Sequence, residues 1–308
     1  MTTLVEYIIY TSLAYATPIL LAAEGELIAE LSGVLNIGIE GTMLMGAFIS
    51  YFTVLVTGNI LLGVVVGLLW GVAAGLTIAL FEVILACDYI VTGIGFNIMM
   101  MGLSSFLFDK LVVSVYNKVP YVAGIPRVSI PFLGQLPVVG ASIFSQHVLT
   151  YLALILVIPI WFVLSKTTWG LKIRAAGENP EATYALGINV VLVRLISAVI
   201  STILVSLAGV SLCLELTRAF THVMTAARGF VALSLVIFSG WRILRILPGS
   251  LLYGFLYSLP ALMQAFGIPV PYQILLSIPY IATIALMSIA YRRVKPPSAL
   301  MKPFIKKG

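Results

Sequence analysis

Polar side chains within long apolar segments are the residues of this chain that could do chemistry. An amide or carboxylate is expensive in hydrocarbon, so it usually faces a cavity, a solute or a neighbouring helix. Six residues have this character: Asn36, Glu40, Glu82, Asn97, Glu215 and Gln264. From this set and an adjacent aromatic residue we predict a solute path lined by Asn36, Glu40, Phe96, Asn97 and Gln264.

Phe96 and Asn97 are adjacent in "TGIGFNIMMMG". An aromatic ring beside an amide suits a flat, hydrogen-bonding solute such as a nucleobase, which stacks on the ring and bonds through its edge. The alternative is that Asn97 only bonds a neighbouring helix, a contact of about 1 kcal/mol in a membrane. The same alternative holds for Gln264.

Acidic residues cluster near the first apolar segment. Glu24, Glu26 and Glu30 have no basic residue nearby, and we expect them at a solvated helix end rather than deep inside the membrane. The alternative is that they coordinate an ion. Glu40 lies among glycines, where a carboxylate can accept hydrogen bonds from free backbone N–H groups at a helix start. A direct role of Glu40 in the solute path is the other interpretation.

Enzyme signatures are absent from the sequence. His147 and His222 are the only histidines, and without nearby carboxylates they predict no metal site. The stretch "GIEGTMLMG" has the glycines of a phosphate-binding loop but lacks its Lys-Ser/Thr pair. We therefore expect no catalytic activity, no ATP hydrolysis by this chain and no bound cofactor.

Composition indicates the elements that position these residues. Hydrophobic residues make up 61% of the 308 and charged residues 9%, with a mean hydropathy of +1.14, whereas soluble domains are about a quarter charged. The chain is predicted to be an all-α, polytopic transmembrane bundle in the cell membrane, forming one transmembrane domain over 1–308. About nine membrane segments are expected, near 4–23, 38–57, 61–85, 89–108, 148–165, 191–214, 222–240, 248–267 and 272–290.

Basic residues predict the topology. The net charge is +6, yet no Lys or Arg precedes Lys110. Basic residues flank 166–190 and fill the tail 291–308, and such residues mark cytoplasmic loops. We therefore predict both regions to be inside the cell, no nucleic-acid binding, and an external loop over 114–146, whose prolines resist a continuous helix.

The segment 177–194, "GENPEATYALGINVVLVR", has the character of a soluble helix between two apolar tracts. Asn179 can cap a helix, Pro180 suits the first turn, Glu181 favours the positive end of the dipole, and Gly187 is a typical stop. So short a helix is marginal alone, and it predicts a partner that holds it. The alternative is an amphipathic helix on the lipid surface.

Two stretches share a design, "SGVLNIGIEGTMLMGAFISY" (32–51) and "AARGFVALSLVIFSGWRI" (226–243). Each opens at glycine and becomes apolar, which is the sequence pattern of broken helices in an internal transporter repeat. The alternative is that the two stretches are unrelated.

Several blocks carry a family resemblance. "GLKIRAAGENPEATYALGINVVLVRL" resembles the coupling-helix region of ABC importer permeases of the branched-chain amino acid, ribose and nucleoside type. "SGVLNIGIEG", "DYIVTGIGFNIMMMGLSSFLF" and "AARGFVALSLVIFSGWRILRILPGSLLYG" resemble other family blocks in the same order, and the first is similar to the nucleoside (guanosine-type) subgroup.

The resemblance implies an importer of two permeases (this chain with a copy or a paralogue), cytoplasmic ATP-binding cassette ATPases that bind the ATP, and an external solute-binding lipoprotein. It further implies that the ATPase holds the coupling residues Glu178, Asn179, Pro180, Glu181, Ala182, Leu186 and Gly187. Nucleosides are the expected substrate. The alternatives are a permease for a simple sugar or other small solute, or an ion-coupled transporter using Glu82 or Glu215 as relay groups.

Overall fold

The structure is a computed structural model that describes residues 4–131, 134, 139–265, 267, 271–290 and 295–305. The helices within these residues are α1 Leu4–Leu31, α2 Ile39–Thr57, α3 Ile60–Ala79, α4 Tyr89–Phe108, α5 Ser114–Tyr116, α6 Val139–Ile143, α7 Val148–Lys166, α8 Thr168–Glu178, α9 Pro180–Ala185, α10 Val190–Ser211, α11 Arg228–Ser239, α12 Ile243–Ala265 and α13 Tyr272–Ala290. π-Helical turns extend three of them, α3 through Leu80–Ile84, α4 through Asp109–Val113 and α10 through Leu212–Thr217.

Seven helical segments in the described part of the chain are long and apolar enough to cross a membrane: Val5–Leu31, Ile39–Thr57, Ile60–Ile84, Tyr89–Tyr116, Val148–Lys166, Val190–Thr217 and Ile243–Ala265. Two further apolar helices are shorter, Arg228–Ser239 and Gln273–Ser288. Each of the nine predicted segments thus contains an apolar helix. The prediction of a helical, multi-pass integral membrane protein is confirmed.

The seventh predicted segment, 222–240, differs most from its helix. Only α11 is helical there, with 12 residues, or about 18 Å at 1.5 Å per residue. A hydrocarbon core is about 30 Å thick. This element is therefore a half-helix preceded by irregular backbone.

The two halves of the chain follow the same plan. In each, a long helix is followed by an irregular link and three more helices, α1–α4 in the first half and α10–α13 in the second. α1 and α10 lie against each other, and each also packs along the third helix of the other half: α1 along α12, and α10 along α3. This exchange agrees with the predicted internal repeat of broken helices.

A row of glycines brings α3 into backbone contact with α10. The row recurs every fourth residue, and so lies on one face of the helix: Gly63, Gly67, Gly71 and Gly75. A Cβ atom on Gly71 would stand 2.7 Å from the Cα of Ile203. The Ser206 hydroxyl donates to the carbonyl of Gly67 over 2.6 Å. Small residues therefore position α10, as is common between membrane helices.

The Pro-rich segment 114–146 is largely irregular, as predicted, but contains two strands that the all-α prediction lacks. Strands β1 Arg127–Ser129 and β2 Ser145–His147 pair antiparallel, with Arg127 opposite His147. The backbone N–H of Val122 donates to the carbonyl of Arg218, which ties the loop to the end of α10. The predicted external side of this loop stays a prediction.

Some residues on which the predictions rest lie outside the described residues. They are Pro137 of the loop and Arg292, Arg293, Lys306 and Lys307 of the basic tail.

The expectation that Glu24, Glu26 and Glu30 lie at a solvated helix end is wrong. All three are 0% exposed, because α1 continues to Leu31 and packs against α10, α11 and α12. Glu26 accepts a hydrogen bond from the backbone N–H of Asn36 over 2.9 Å. These carboxyl groups therefore lie inside the bundle.

Candidate functional site

Asn97 holds the start of α2 in place. Its Oδ1 accepts from the backbone N–H of Gly41 over 2.7 Å, and its Nδ2 donates to the carbonyl of Ile37 over 2.6 Å. The first bond joins α4 to the first turn of α2 and the second joins it to the irregular link before α2, and these backbone groups would otherwise lack partners. The amide thus makes the helix contact that the sequence allowed as an alternative, and its role in the solute path stays a prediction.

Phe96 and Asn36 lie beside this link. Phe96 is 6% exposed and stacks on Trp70, with ring centroids 6.5 Å apart. Asn36 is 1% exposed, and neither polar atom of its side chain has a hydrogen-bond partner among the described residues. A Cβ atom on Gly38 would meet both side chains, at 3.0 Å and 3.2 Å. The link therefore gathers Asn36, Phe96 and Asn97.

Glu40 joins the two glycine-containing stretches that resemble each other in sequence. It is 3% exposed. Its Oε1 accepts from the backbone N–H of Ala227 over 2.7 Å, and its Oε2 accepts from that of Gly229 over 2.8 Å. The carboxylate therefore binds a helix start, as predicted, but that of α11 rather than its own. A carboxylate stabilises the positive end of a helix dipole.

The two links are anchored in corresponding ways. Asn97 of α4 donates to the carbonyl of Ile37, two residues before α2 begins at Ile39. The Tyr280 hydroxyl of α13 donates over 2.7 Å to the carbonyl of Ala226, two residues before α11 begins. In each half the last helix thus fixes the link before the second helix.

Gln264 lies in a separate cleft of about 210 Å³ beside the start of α11. Arg228, Tyr257 and Tyr280 line the same cleft, and the prediction from sequence missed them. Arg228 carried a usable signal, because it is a charged residue inside the predicted segment 222–240. The cleft thus combines a cation, two phenol rings and an amide.

The predicted coupling helix is present as α9. Asn179 Oδ1 accepts from the backbone N–H of Ala182 over 3.0 Å, and Pro180 is the first helical residue. Gly187 has a φ of +82°, the left-handed conformation that ends helices. Leu186 is 81% exposed. The local structure of this segment is confirmed, and its role in binding an ATPase stays a prediction.

Arg194 is one of the basic residues that flank 166–190 and that the sequence analysis used only to predict topology, and the structure gives it a second role. It is 1% exposed. Its Nε donates to the carbonyl of Ser32 over 3.1 Å, its Nη1 to that of Lys302 over 2.8 Å, and its Nη2 to that of Ala176 over 3.3 Å. One guanidinium therefore ties the link before α2, the end of α8 and the C-terminal residues together.

These C-terminal residues, 297–304, form a strap across the end of α8. The backbone N–H of Ala299 donates to the carbonyl of Gly177 over 2.8 Å. The Ser298 hydroxyl donates to Glu178 Oε1 over 2.6 Å, and its backbone N–H donates to Oε2 over 3.3 Å. These two bonds hold the pKa of Glu178 below its ordinary value. The strap and the coupling segment are thus one packed unit.

Comparison with known proteins agrees with this architecture. The family model described as "Branched-chain amino acid transport system / permease component" matches residues 8–287. The guanosine ABC transporter permease protein NupQ of Bacillus subtilis is 35% identical, over 97% of this chain and 96% of the relative. The putative glucose ABC transporter permease protein TsgC13 of Haloferax volcanii is 33% identical, over 94% of both chains.

The nucleoside ABC transporter permease protein NupC of Lactococcus lactis is 31% identical, over 98% of this chain and 97% of the relative. Each of these two bacteria has a second, more distant relative of the chain, the guanosine ABC transporter permease protein NupP in Bacillus subtilis and the nucleoside ABC transporter permease protein NupB in Lactococcus lactis. No solved structure matches. The chain therefore belongs to the family of branched-chain amino acid transport system permease components, and it is an integral membrane ABC permease of the nucleoside and sugar type.

Proposed function

We propose that this chain is a permease subunit of an importer that takes up nucleosides and is driven by ATP hydrolysis on separate cytoplasmic subunits. The observation that carries this proposal is α9, a capped and exposed helix of 6 residues between two membrane segments. A helix of this length is unstable alone, yet this one packs against the rest of the protein and leaves the Leu186 side chain exposed at its end. Such a helix transmits displacement better than a flexible loop does.

The proposed ATPase-binding residues are Glu178, Asn179, Pro180, Glu181, Ala182, Leu186 and Gly187. Closure of the ATPase pair would push this segment, and the Arg194 contacts connect it to the link before α2. ATP binds only to the partner in this scheme, and the permease itself carries no cofactor.

Nucleosides are favoured as the substrate because two near full-length relatives are named as nucleoside or guanosine permeases. A simple sugar is the second candidate, since another relative of similar identity is named as a putative glucose permease. The proposed solute path includes Asn36, Glu40, Phe96, Asn97 and Gln264. Its remaining partners are a second permease, for which paralogous pairs in two organisms are the precedent, and an external solute-binding lipoprotein.

Reconstitution tests the proposal. The chain is co-expressed with the ATPase, the second permease and the solute-binding protein, purified as a complex and placed in liposomes containing ATP. Labelled guanosine should accumulate with ATP and be unaffected by a proton uncoupler, and excess glucose should not compete. Competition by glucose would favour the sugar alternative. Uptake that an uncoupler abolishes would contradict ATP-driven transport.

A further inference from the structure

The cleft beside the start of α11 contains polar groups at a place where hydrocarbon would penalise them. Arg228 is half-buried and Gln264 is exposed in the isolated chain, and both lie in apolar helices, α11 and α12. A charged side chain in a membrane segment faces a water-filled path or another subunit rather than lipid. The cleft therefore opens towards the transport path or the second permease.

Its aromatic wall is held in a defined arrangement. The rings of Tyr257 and Tyr280 meet edge to face, with centroids 6.4 Å apart and planes at 83°. The guanidinium carbon of Arg228 stands 4.6 Å from the centroid of the Tyr257 ring. Tyr280 is further fixed by its hydrogen bond to the carbonyl of Ala226. The rings and the cation are therefore ordered before any ligand arrives.

Hydrogen-bonding capacity is left over in this wall. Arg228 Nη1 donates to the carbonyls of Met224 and Thr225, both over 3.1 Å, while its buried Nε has no partner among the described residues. Tyr257 is 7% exposed. Its hydroxyl has no well-directed hydrogen bond to any described residue, although the Tyr280 side chain is close enough to interact with it. Buried polar groups without partners are uncommon in native proteins, and here they line a cavity.

We propose that this cleft is half of a transit site for a planar, hydrogen-bonding heteroaromatic ring, the base of a nucleoside. The ring stacks on Tyr280, which is 37% exposed, whereas the face of Tyr257 is covered by Arg228. The edge of the ring accepts from Arg228 and exchanges hydrogen bonds with the amide of Gln264. Aromatic and guanidinium planes are the groups on which nucleic-acid bases commonly stack. This inference rests on the proposed function, and it assigns the base to a set of residues around Gln264.

The size of the cleft limits what it holds. Its volume of about 210 Å³ is below the roughly 300–1,000 Å³ of typical ligand pockets. It can therefore take one ring system but not enclose a whole nucleoside. The rest of the site is supplied by the facing permease, and a half-open site suits weak binding during transport.

Photolabelling and four variants test this proposal in the reconstituted complex. The photoreactive probe 8-azidoguanosine should label peptides from α11, α12 or α13 of the wild-type chain, and excess guanosine should prevent the labelling. Tyr280→Leu should lower the maximal guanosine uptake roughly 5- to 150-fold, the range that corresponds to losing base stacking. Tyr280→Phe keeps the ring but loses the hydrogen bond to Ala226, and it should lose roughly two- to tenfold. Gln264→Leu should lose a similar amount.

Tyr253→Phe is the matched control. It lies one turn earlier on α12, and its hydroxyl bonds Thr283 outside the cleft, so uptake should stay within about twofold of wild type, as expected of a contact that touches no solute. Each variant must still co-purify with the ATPase. Guanosine-preventable labelling outside α11, α12 and α13, or normal uptake by Tyr280→Leu, would overturn the cleft assignment. Absence of ATP-driven guanosine uptake by the wild type would instead contradict the proposed function.

Discussion

Replacing Arg194 by Met should release the C-terminal strap from the coupling segment. Met fills much of the same space but donates no hydrogen bond. The carbonyl of Lys302 belongs to an exposed residue and can be hydrated after the change. The carbonyls of Ser32 and Ala176 belong to residues that are fully buried in the bundle, so they would be left unpaired.

The magnitude follows from these two carbonyls. A buried acceptor that loses its donor costs about 1–3 kcal/mol, so the variant should lose about 2–6 kcal/mol of local stability. Removing a buried guanidinium also relieves its desolvation, which favours the lower end. Arg194→Lys retains a charge and some donors and should fall between Met and wild type.

Thiol accessibility measures this effect directly. Cys87 and Cys213 are first replaced, and a single cysteine is introduced at position 299 of the strap, where Ala299 is 5% exposed. Arg194→Met should raise the labelling rate of that thiol and lower the melting temperature of the purified protein. Arg174→Met is the matched control, because Arg174 is exposed and makes only a hydrogen bond within its own helix. Equal labelling and melting of the two Met variants would refute the reasoning.

Four further results are expected. Glu178→Arg or Glu181→Arg should abolish uptake while the chain remains inserted, and unchanged co-purification with the ATPase would contradict a coupling role. Hydrogen bonds from the hydroxyl and the backbone N–H of Ser298 hold the pKa of Glu178 below its ordinary value. The strap contact therefore contributes stability that is fully present above the ordinary pKa and is lost as the pH falls through the lowered one. Ser298→Ala keeps the backbone bond and should weaken this pH dependence of the melting temperature without abolishing it. Asn97→Leu leaves two backbone groups unpaired and should slow guanosine uptake and lower the melting temperature, and a normal rate would remove Asn97 from the solute path. A thiol at position 178 should react only from the cytoplasmic side of sealed cells, and labelling from outside would overturn the predicted topology.

Local signals determined much of this protein from sequence alone. Apolar runs long enough for a membrane predicted the helices, because hydrocarbon leaves a spanning backbone few alternatives to internal hydrogen bonding. Asn179, Pro180 and Gly187 predicted the bounds of α9, because capping and helix termination depend on neighbours within a few residues. The faint likeness of the two glycine-containing stretches predicted the repeat that the packing of α1 and α10 displays.

The tertiary structure alone decided which partner each polar group has. Glu40 was expected at a helix start, but the N–H groups that it binds are 187 and 189 residues away. The burial of Glu24 and the three acceptors of Arg194 likewise depend on helices that are distant in sequence. Periodicity and capping report on neighbours within a few turns, whereas the partner of a buried polar group is set by which helices meet in three dimensions. The packing of α11, α12 and α13 forms the cleft in the same way: the charge of Arg228 within an apolar segment is visible in the sequence, but only the tertiary structure places Tyr257 beside it.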